Sequence, residues 1–455
     1  MNSLPEQMTA PDERPGNLLV LALLAPVVGA VSGLLGAIFR LTLVHADRLR
    51  DALIYWAHTQ KVFGFLAITS GCAATTAIAA WLVRRFSPAA SGSGIPQVEA
   101  ELVGEAQEAP CSVIPVKFVG GVLAIGGGLA LGREGPSVQM GSSTASMVGK
   151  IFRRNWPDCR VILAAGAGAG LATAFNAPIA GAIFVLEELV RRFEPRIAIV
   201  ALGASSTAVA VARLFLGDSP DSHVMPLAFP SNFVKPLFFV LGIFAGLAAI
   251  AYNHAILRAI AVNHRLRRWP VELRAAIIGG AVGVLAYFAP ELVGGGDPVT
   301  QRTLLGVGTL AIIPLLFLVR FGLGAVSYAA ATPGGLFAPL LVLGAQLGLC
   351  FGRLCQFAFP SVNIQAEGFA VVGMSAFFAG VVRAPLTGIV LVTEMTGNVS
   401  MLLPMLGACF AAMLLTTALH NPPIYESLRE HPERSAVREK GNAGQLRGGA
   451  VAEEH

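Results

Sequence analysis

Long apolar stretches alternate with short polar ones along most of the chain. They run over residues 18–39, 63–83, 111–131, 161–186, 197–216, 233–260, 275–289, 304–319, 381–395 and 401–419. Several approach the roughly 20 residues that an α-helix needs to cross a bilayer. The pattern predicts an all-α polytopic membrane protein. The first stretch follows a polar, acidic segment without the positive flank of a secretory signal, so it reads as an uncleaved membrane helix. Residues 45–61 read as a mixed-charge loop or helix end. Residues 99–108, with four acids, read as a solvated surface segment. Clusters at Arg84-Arg85, at Arg191, Arg192 and Arg196, and at Arg265, Arg267 and Arg268 follow apolar stretches and are expected on the cytoplasmic side. The boundaries give a polar tail at 1–17, a first membrane part at 18–216, a connector at 217–232, a second membrane part at 233–425 and a polar tail at 426–455.

Composition agrees. Of 455 residues, 55% are hydrophobic and 13% charged, and the mean hydropathy is +0.68. A soluble domain carries about 25% charged residues. The net charge of +5 contains no long basic run, so nucleic acid is not an expected partner. Six cysteines form no CxxC pair and are expected as buried structural thiols. The eight histidines have no metal-ligand spacing. No nucleophile–base motif or P-loop is present, so an enzyme is not expected.

Three short motifs interrupt the apolar pattern: Gly92-Ser93-Gly94-Ile95-Pro96, Gly132-Arg133-Glu134-Gly135-Pro136 and Gly335-Leu336-Phe337-Ala338-Pro339. Gly and Pro break helices, and Pro favours the first helical turn. A helix is expected to start at Pro136, with Glu134 just ahead of it. The free N–H groups and positive dipole end of such a start bind anions. A charged acid inside the bilayer costs on the order of 2.5–3.5 kcal/mol, so Glu134 reads as functional by default.

The chain also repeats. Asn176-Ala177-Pro178 with Gly181 and Glu187 matches Arg383-Ala384-Pro385 with Gly388 and Glu394, at an offset of 207 residues. Glu134-Gly135-Pro136 with Gly141 matches Phe337-Ala338-Pro339 with Gly344, at an offset of 203. Paired broken helices in two halves point to a transporter site at the repeat interface. The sequence does not show whether the halves are inverted. The roles of Glu187, Arg383 and Glu394 stay open. GxxxG spacings at Gly166/Gly170, Gly242/Gly246 and Gly344/Gly348 predict close helix packing.

The three motifs in this order, together with Tyr425, resemble the CLC chloride channel and transporter family over residues 29–425. The resemblance implies inverted repeats of about eighteen short, tilted and broken helices. It implies a homodimer with one pore per subunit, in a bacterial inner membrane with both termini cytoplasmic. It implies chloride and protons as substrates and no cofactor. By the same matching, a central chloride is held by the hydroxyls of Ser93 and Tyr425 and the N–H groups of Leu336 and Phe337. Glu134 is the outer gate, and Glu188 the inner proton acceptor. The function expected is proton/chloride exchange, and the alternative is a passive chloride channel on the same fold.

Overall fold

The computed structural model describes residues 16–218, 222, 224 and 226–430. The expected tails therefore lie outside the described residues, apart from residues 16, 17 and 426–430. Among the described residues there are seventeen α-helices: α1 Leu18–Thr59, α2 Lys61–Phe86, α3 Ile95–Val103, α4 Val113–Gly126, α5 Glu134–Ile151, α6 Trp156–Phe175, α7 Pro178–Phe184, α8 Pro195–Leu216, α9 Lys235–Arg265, α10 Val271–Phe288, α11 Asp297–Leu304, α12 Ile313–Tyr328, α13 Phe337–Ala358, α14 Ala366–Val382, α15 Pro385–Thr396, α16 Leu402–Ala418 and α17 Ile424–Arg429. Seven of them are long and apolar enough to cross a membrane. This is a multi-pass membrane protein.

Each half builds the same set of contacts. The α5–α6 pair is matched by α13–α14. Helix α1 packs on α6 and α8, and α9 packs on α14 and α16. Small residues permit the central crossings. A Cβ on Gly170 would lie 2.7 Å from the Ser137 carbonyl carbon, and one on Gly348 would lie 2.7 Å from that of Phe369. The GxxxG spacings thus sit where two helix backbones touch. Asn176 ends α6 and Arg383 ends α14, both in the left-handed conformation, with φ of 55° and 73°. Pro178 and Pro385 then start α7 and α15, where their missing N–H costs nothing.

The halves are inverted, and two acids reveal it. The Glu187 carboxylate, just past the end of α7, accepts from the N–H groups of Leu386 (3.0 Å) and Thr387 (2.6 Å) at the start of α15. The Glu394 carboxylate, near the end of α15, accepts from Ile179 (3.1 Å) and Ala180 (2.8 Å) at the start of α7. Each helix end therefore lies beside the other's beginning, so the two equivalent helices are antiparallel. Gly132 and Gly335, also 203 residues apart, form an antiparallel bridge with both N–H···O bonds exchanged, at 2.8 and 2.7 Å. Two equivalent residues can pair reciprocally only on the pseudo-two-fold axis itself.

Several sequence expectations need correction. Of the two readings of residues 45–61, loop or helix end, the helix end holds: α1 runs to Thr59. The apolar stretch at 304–319 is split, because α11 ends at Leu304 and α12 begins at Ile313. Helix α5 begins at Glu134, two residues before Pro136. Residues 99–108 are not uniformly solvated. Glu99 and Glu101 are buried on α3, 2% and 4% exposed, because α3 packs against α5, α6 and α17. The cysteines are not all buried: Cys111 is exposed and Cys350 half-buried.

The reciprocal caps should matter about equally. Glu187→Ala and Glu394→Ala each strand two backbone donors, and Glu187→Ala the Thr387 hydroxyl as well, at about 0.5–1.5 kcal/mol for each hydrogen bond lost. Thermal unfolding in detergent should show a lowered midpoint for both. Unchanged midpoints would mean that these carboxylates do not hold the two halves together.

Candidate functional site

Each of the three motifs ends in a helix start deep in the protein. A helix start leaves its first N–H groups without intrahelical acceptors. Here the loops ahead of α3, α5 and α13 are tied to one another by their own backbones. The Gly92 N–H donates to Thr332 O, and the Gly334 N–H donates back to Gly92 O, both at 3.1 Å. The Gly132–Gly335 exchange ties the loop ahead of α5 to the same strand of chain. Lys117, the lone cation of α4, is fully buried and donates to Gly92 O at 2.6 Å. Tyr328 and Ser327 complete the ties: the Ser93 N–H donates to the Tyr328 hydroxyl oxygen (3.4 Å), and the Ala130 N–H to the Ser327 hydroxyl oxygen (3.0 Å).

Glycine is required at two points of this assembly. Gly94 caps α3 with φ of 88°, in the left-handed region that other residues rarely adopt. A Cβ on Gly135 would meet the carbonyl and hydroxyl oxygens of Ser93 at 2.5 Å, so Gly135 is what lets the first and second motifs touch.

The side chains that converge here are nearly all buried. Ser93, Leu336, Phe337 and Tyr425 are fully buried, and Glu134 is 1% exposed. The Ser93 and Tyr425 hydroxyls adjoin one another, and neither has a hydrogen-bond partner elsewhere in the protein. Unpaired buried hydroxyls are costly, so two together mark a place where another polar group is received. The Phe337 ring sits within 6.3 Å of the rings of Phe175, Phe184, Phe378 and Tyr425, which form an apolar collar. Glu134 folds back over Gly132, and its Oε2 accepts from the Ala338 N–H on α13 at 3.4 Å. The acid at one helix start thus supplies negative charge to another. Its neighbour Arg133 points elsewhere: Nε donates to Ala174 O (3.0 Å) and Nη1 to Asp297 (2.7 Å).

Among the described residues, openings lie on both sides of this region. A cavity of about 730 Å³ is lined by Asp47, Arg50, Arg133, Glu134 and Asp297. The other two lie at the opposite face, where α1 begins and where Gly16 is held by Asp158 and Arg196. One, of about 220 Å³, is bordered by Ser91, Gly92, Tyr328, His264 and Arg274. The other, of about 640 Å³, is bordered by Glu187, Glu188, Arg191 and Arg383.

Glu188 is 3% exposed, on a π-helical turn at Val185–Leu189. The Arg191 guanidinium donates to the Glu188 backbone carbonyl at 3.3 Å, reaches the Glu188 carboxylate only at 3.9 Å and also pairs with Glu426 at 3.4 Å. Buried Glu99 lies beside Glu188. Sequence reasoning missed Glu99 because its neighbours are acidic and read as surface. It missed Lys117 as a structural centre, although one cation within 21 apolar residues was a usable signal. Asp297 and Tyr328 carried no signal of their own.

Known proteins resemble this chain in sequence and fold. A family model described as voltage gated chloride channel matches residues 75–417. The chain is 35% identical to the H(+)/Cl(-) exchange transporter ClcA of Citrobacter koseri, covering 95% of this chain and 94% of that one. It is 37% identical to ClcA of Cronobacter sakazakii, covering 93% and 91%. The X-ray structure of a slow cyanobacterial Cl-/H+ antiporter matches with a TM-score of 0.84 at 31% identity, covering 92% of this chain and 98% of that one.

Replacing Lys117 with Met should loosen the joined loops. It removes a charged donor from the Gly92 carbonyl, an interaction typically of about 1.5–3 kcal/mol. Hydrogen exchange at the Gly92 and Gly334 amides should accelerate about tenfold or more. Unaltered protection would show that the loop bridges hold without the lysine.

Proposed function

Because the chain belongs to the voltage gated chloride channel family, we propose that it exchanges chloride for protons across the membrane it spans. The observation that carries this reading is the Glu134 carboxylate, buried at a helix start and accepting from the N–H of a second helix start. An anion fits at that point. Ionised, the carboxylate occupies the position itself and closes the path. Protonated, it loses its attraction for the helix starts, swings aside and admits chloride. Each cycle then links a proton to the anion.

The central chloride is held by the Ser93 and Tyr425 hydroxyls and the N–H groups of Leu336 and Phe337. These donors are neutral, so they replace water around the ion without trapping it as a full positive charge would. The two hydroxyls without protein partners support this assignment. Glu188 passes protons between Glu134 and the face bearing the arginine clusters. Its burial and its position beside its own cavity support that role, since acids inside membranes are the usual relay groups. Chloride leaves instead by the opening at Ser91 and Gly92. That face is cytoplasmic by the positive-inside rule, the membrane is the bacterial inner membrane, and the protein works as a homodimer with one pore per subunit. It transports rather than catalyses, and it uses no cofactor.

Reconstituted liposomes test the gate. Under an imposed chloride gradient the wild type should drive protons uphill. Glu134→Gln should abolish that movement and keep chloride flux, because a neutral side chain cannot alternate with the anion. Full proton pumping by this variant would remove Glu134 from the mechanism.

Glu188→Gln should also stop proton transport while chloride still crosses. Gln keeps the shape of the side chain but carries no proton. Persistent uphill proton movement in this variant would make Glu188 a structural group. A wild type that moves chloride and no protons would replace the exchanger with a channel.

A further inference from the structure

The end of α2 and the start of α10 lie side by side at the face where α1 begins. The two helices run antiparallel with their backbones in contact. A Cβ on Gly279 would lie 2.5 Å from the Cys72 carbonyl oxygen, and one on Gly283 would lie 2.8 Å from the Thr69 Cα. At the tip, the Arg84 Nε donates to the Glu272 carboxylate at 2.6 Å. Both helices are peripheral: only 28% of the residues in the apolar span of each are buried. What their contact brings together is basic and aromatic. Arg84, Arg85 and Phe86 end α2. Arg265 ends α9, and Arg267, Arg268 and Trp269 fill the turn into α10.

One acid lies within these segments, and it is used: Glu272 is taken by Arg84. Arg274 donates to the Asn263 carbonyl at 2.6 Å. Arg85, Arg265, Arg267 and Arg268 are exposed and form no ion pair among the described residues. Arg85 is held by rings instead. Its guanidinium lies over Phe86, 5.5 Å from the ring centre, and Phe86 meets Trp81 edge-on at 5.6 Å. Trp81, Phe86 and Trp269 are all exposed. Such rings have an apolar body, and tryptophan adds a polar tip, which suits the headgroup level of a bilayer.

The geometry points to a binding site for an anionic phospholipid at the tips of α2 and α10. Arg85, Arg267 and Arg268 receive its phosphate, and its acyl chains lie along the outer sides of the two helices beside Trp81. A guanidinium presents paired N–H donors that match two phosphate oxygens. Basic pockets between membrane helices take lipid headgroups by the same chemistry. The uncompensated positive charges favour a headgroup of net negative charge over a zwitterionic one, whose ammonium they repel. They also disfavour a second copy of this chain docked patch to patch, because like charges would meet. The apolar helix sides below the arginines favour a lipid over a soluble anion, which has nothing to bury there. Arg85, Arg267 and Arg268 line none of the openings described above, so the site does not rest on the reading of Glu134 as the gate.

Tryptophan quenching tests the site. With Trp56→Phe and Trp156→Phe, the tryptophans that remain are Trp81 and Trp269, both at the patch. This parent is reconstituted in phosphatidylcholine vesicles with a minor fraction of brominated phosphatidylglycerol or, in parallel, the same fraction of brominated phosphatidylcholine. The anionic lipid should quench more, as for a local enrichment of about fivefold or greater, the scale of one basic residue's attraction to an anionic headgroup. Arg85→Gln, Arg267→Gln and Arg268→Gln together should remove the excess. Arg153→Gln with Arg154→Gln, on the same face but away from the patch, should leave it. If the triple variant does not fold, Arg267→Gln with Arg268→Gln is read the same way. Inorganic phosphate at constant ionic strength should not reduce the excess. Equal quenching by both lipids in the parent overturns the site, as does an excess that survives in the triple variant. An excess lost equally in the Arg153 and Arg154 variant shows general surface attraction, and one displaced by inorganic phosphate shows a soluble anion; either overturns the lipid site.

Discussion

A helix that begins inside a membrane exposes N–H groups that no water can satisfy, and three helices of this protein begin together. Everything at the site depends on how their loops are joined. The backbone exchanges at Gly92 with residues 332–334 and at Gly132 with Gly335 satisfy the loops themselves. At the start of α13, the Ala338 N–H is taken by the Glu134 carboxylate. Two-residue bridges of this kind would be marginal in isolation. They persist because Lys117 adds a charged donor to the Gly92 carbonyl, and because Gly135 lets Ser93 sit against the second loop. Positive potential is thus built from dipoles and one remote cation, without placing a full charge at the centre. That is the condition under which an anion can both enter and leave.

Charge on the two faces follows from this centre. At the Glu134 face nearly every cation is already matched to an acid or a carbonyl, so the cavity offers no strong trap on the way in. At the other face two openings differ in charge. The opening at Gly92 carries His264 and Arg274 and no acid, whereas the opening at Glu188 joins acids with Arg191 and Arg383. A proton path and an anion path that share only the gate let each ion wait for the other, which is what coupling requires in the proposed exchange.

The sequence made the helical membrane class, the repeat and the three motifs legible, because Gly, Pro and hydropathy act locally. It could not read long-range electrostatics. Glu99 sits among acids, and only the packing of α3 against α5, α6 and α17 takes it out of water. Asp297 looks like an ordinary helix-start acid until α11 is folded against Arg133. For the charged second half of α1 the sequence left loop and helix end both open. Those charges face a cavity lined by their own partners, not the lipid that the hydropathy pattern assumes. The inversion of the halves was invisible for a simpler reason: a matched offset fixes which residues correspond, not the direction in which each copy runs.

The repeat itself separates scaffold from chemistry. Groups that hold the fold occur in both halves. Glu187 and Glu394 cap each other's helices, and Gly132 pairs with Gly335. Lys117 and Arg320, 203 residues apart, each bury a cation on the carbonyls of a Gly loop that precedes a short helix. The groups assigned to transport occur once. At the same offsets, Glu134 corresponds to Phe337, Glu188 to Met395 and Ser93 to Gly296. A two-fold scaffold with identical chemistry in both halves would present the same groups to both faces. With these acids in one half only, the two faces differ in what they offer a proton and an anion, while the direction of net exchange is left to the gradients.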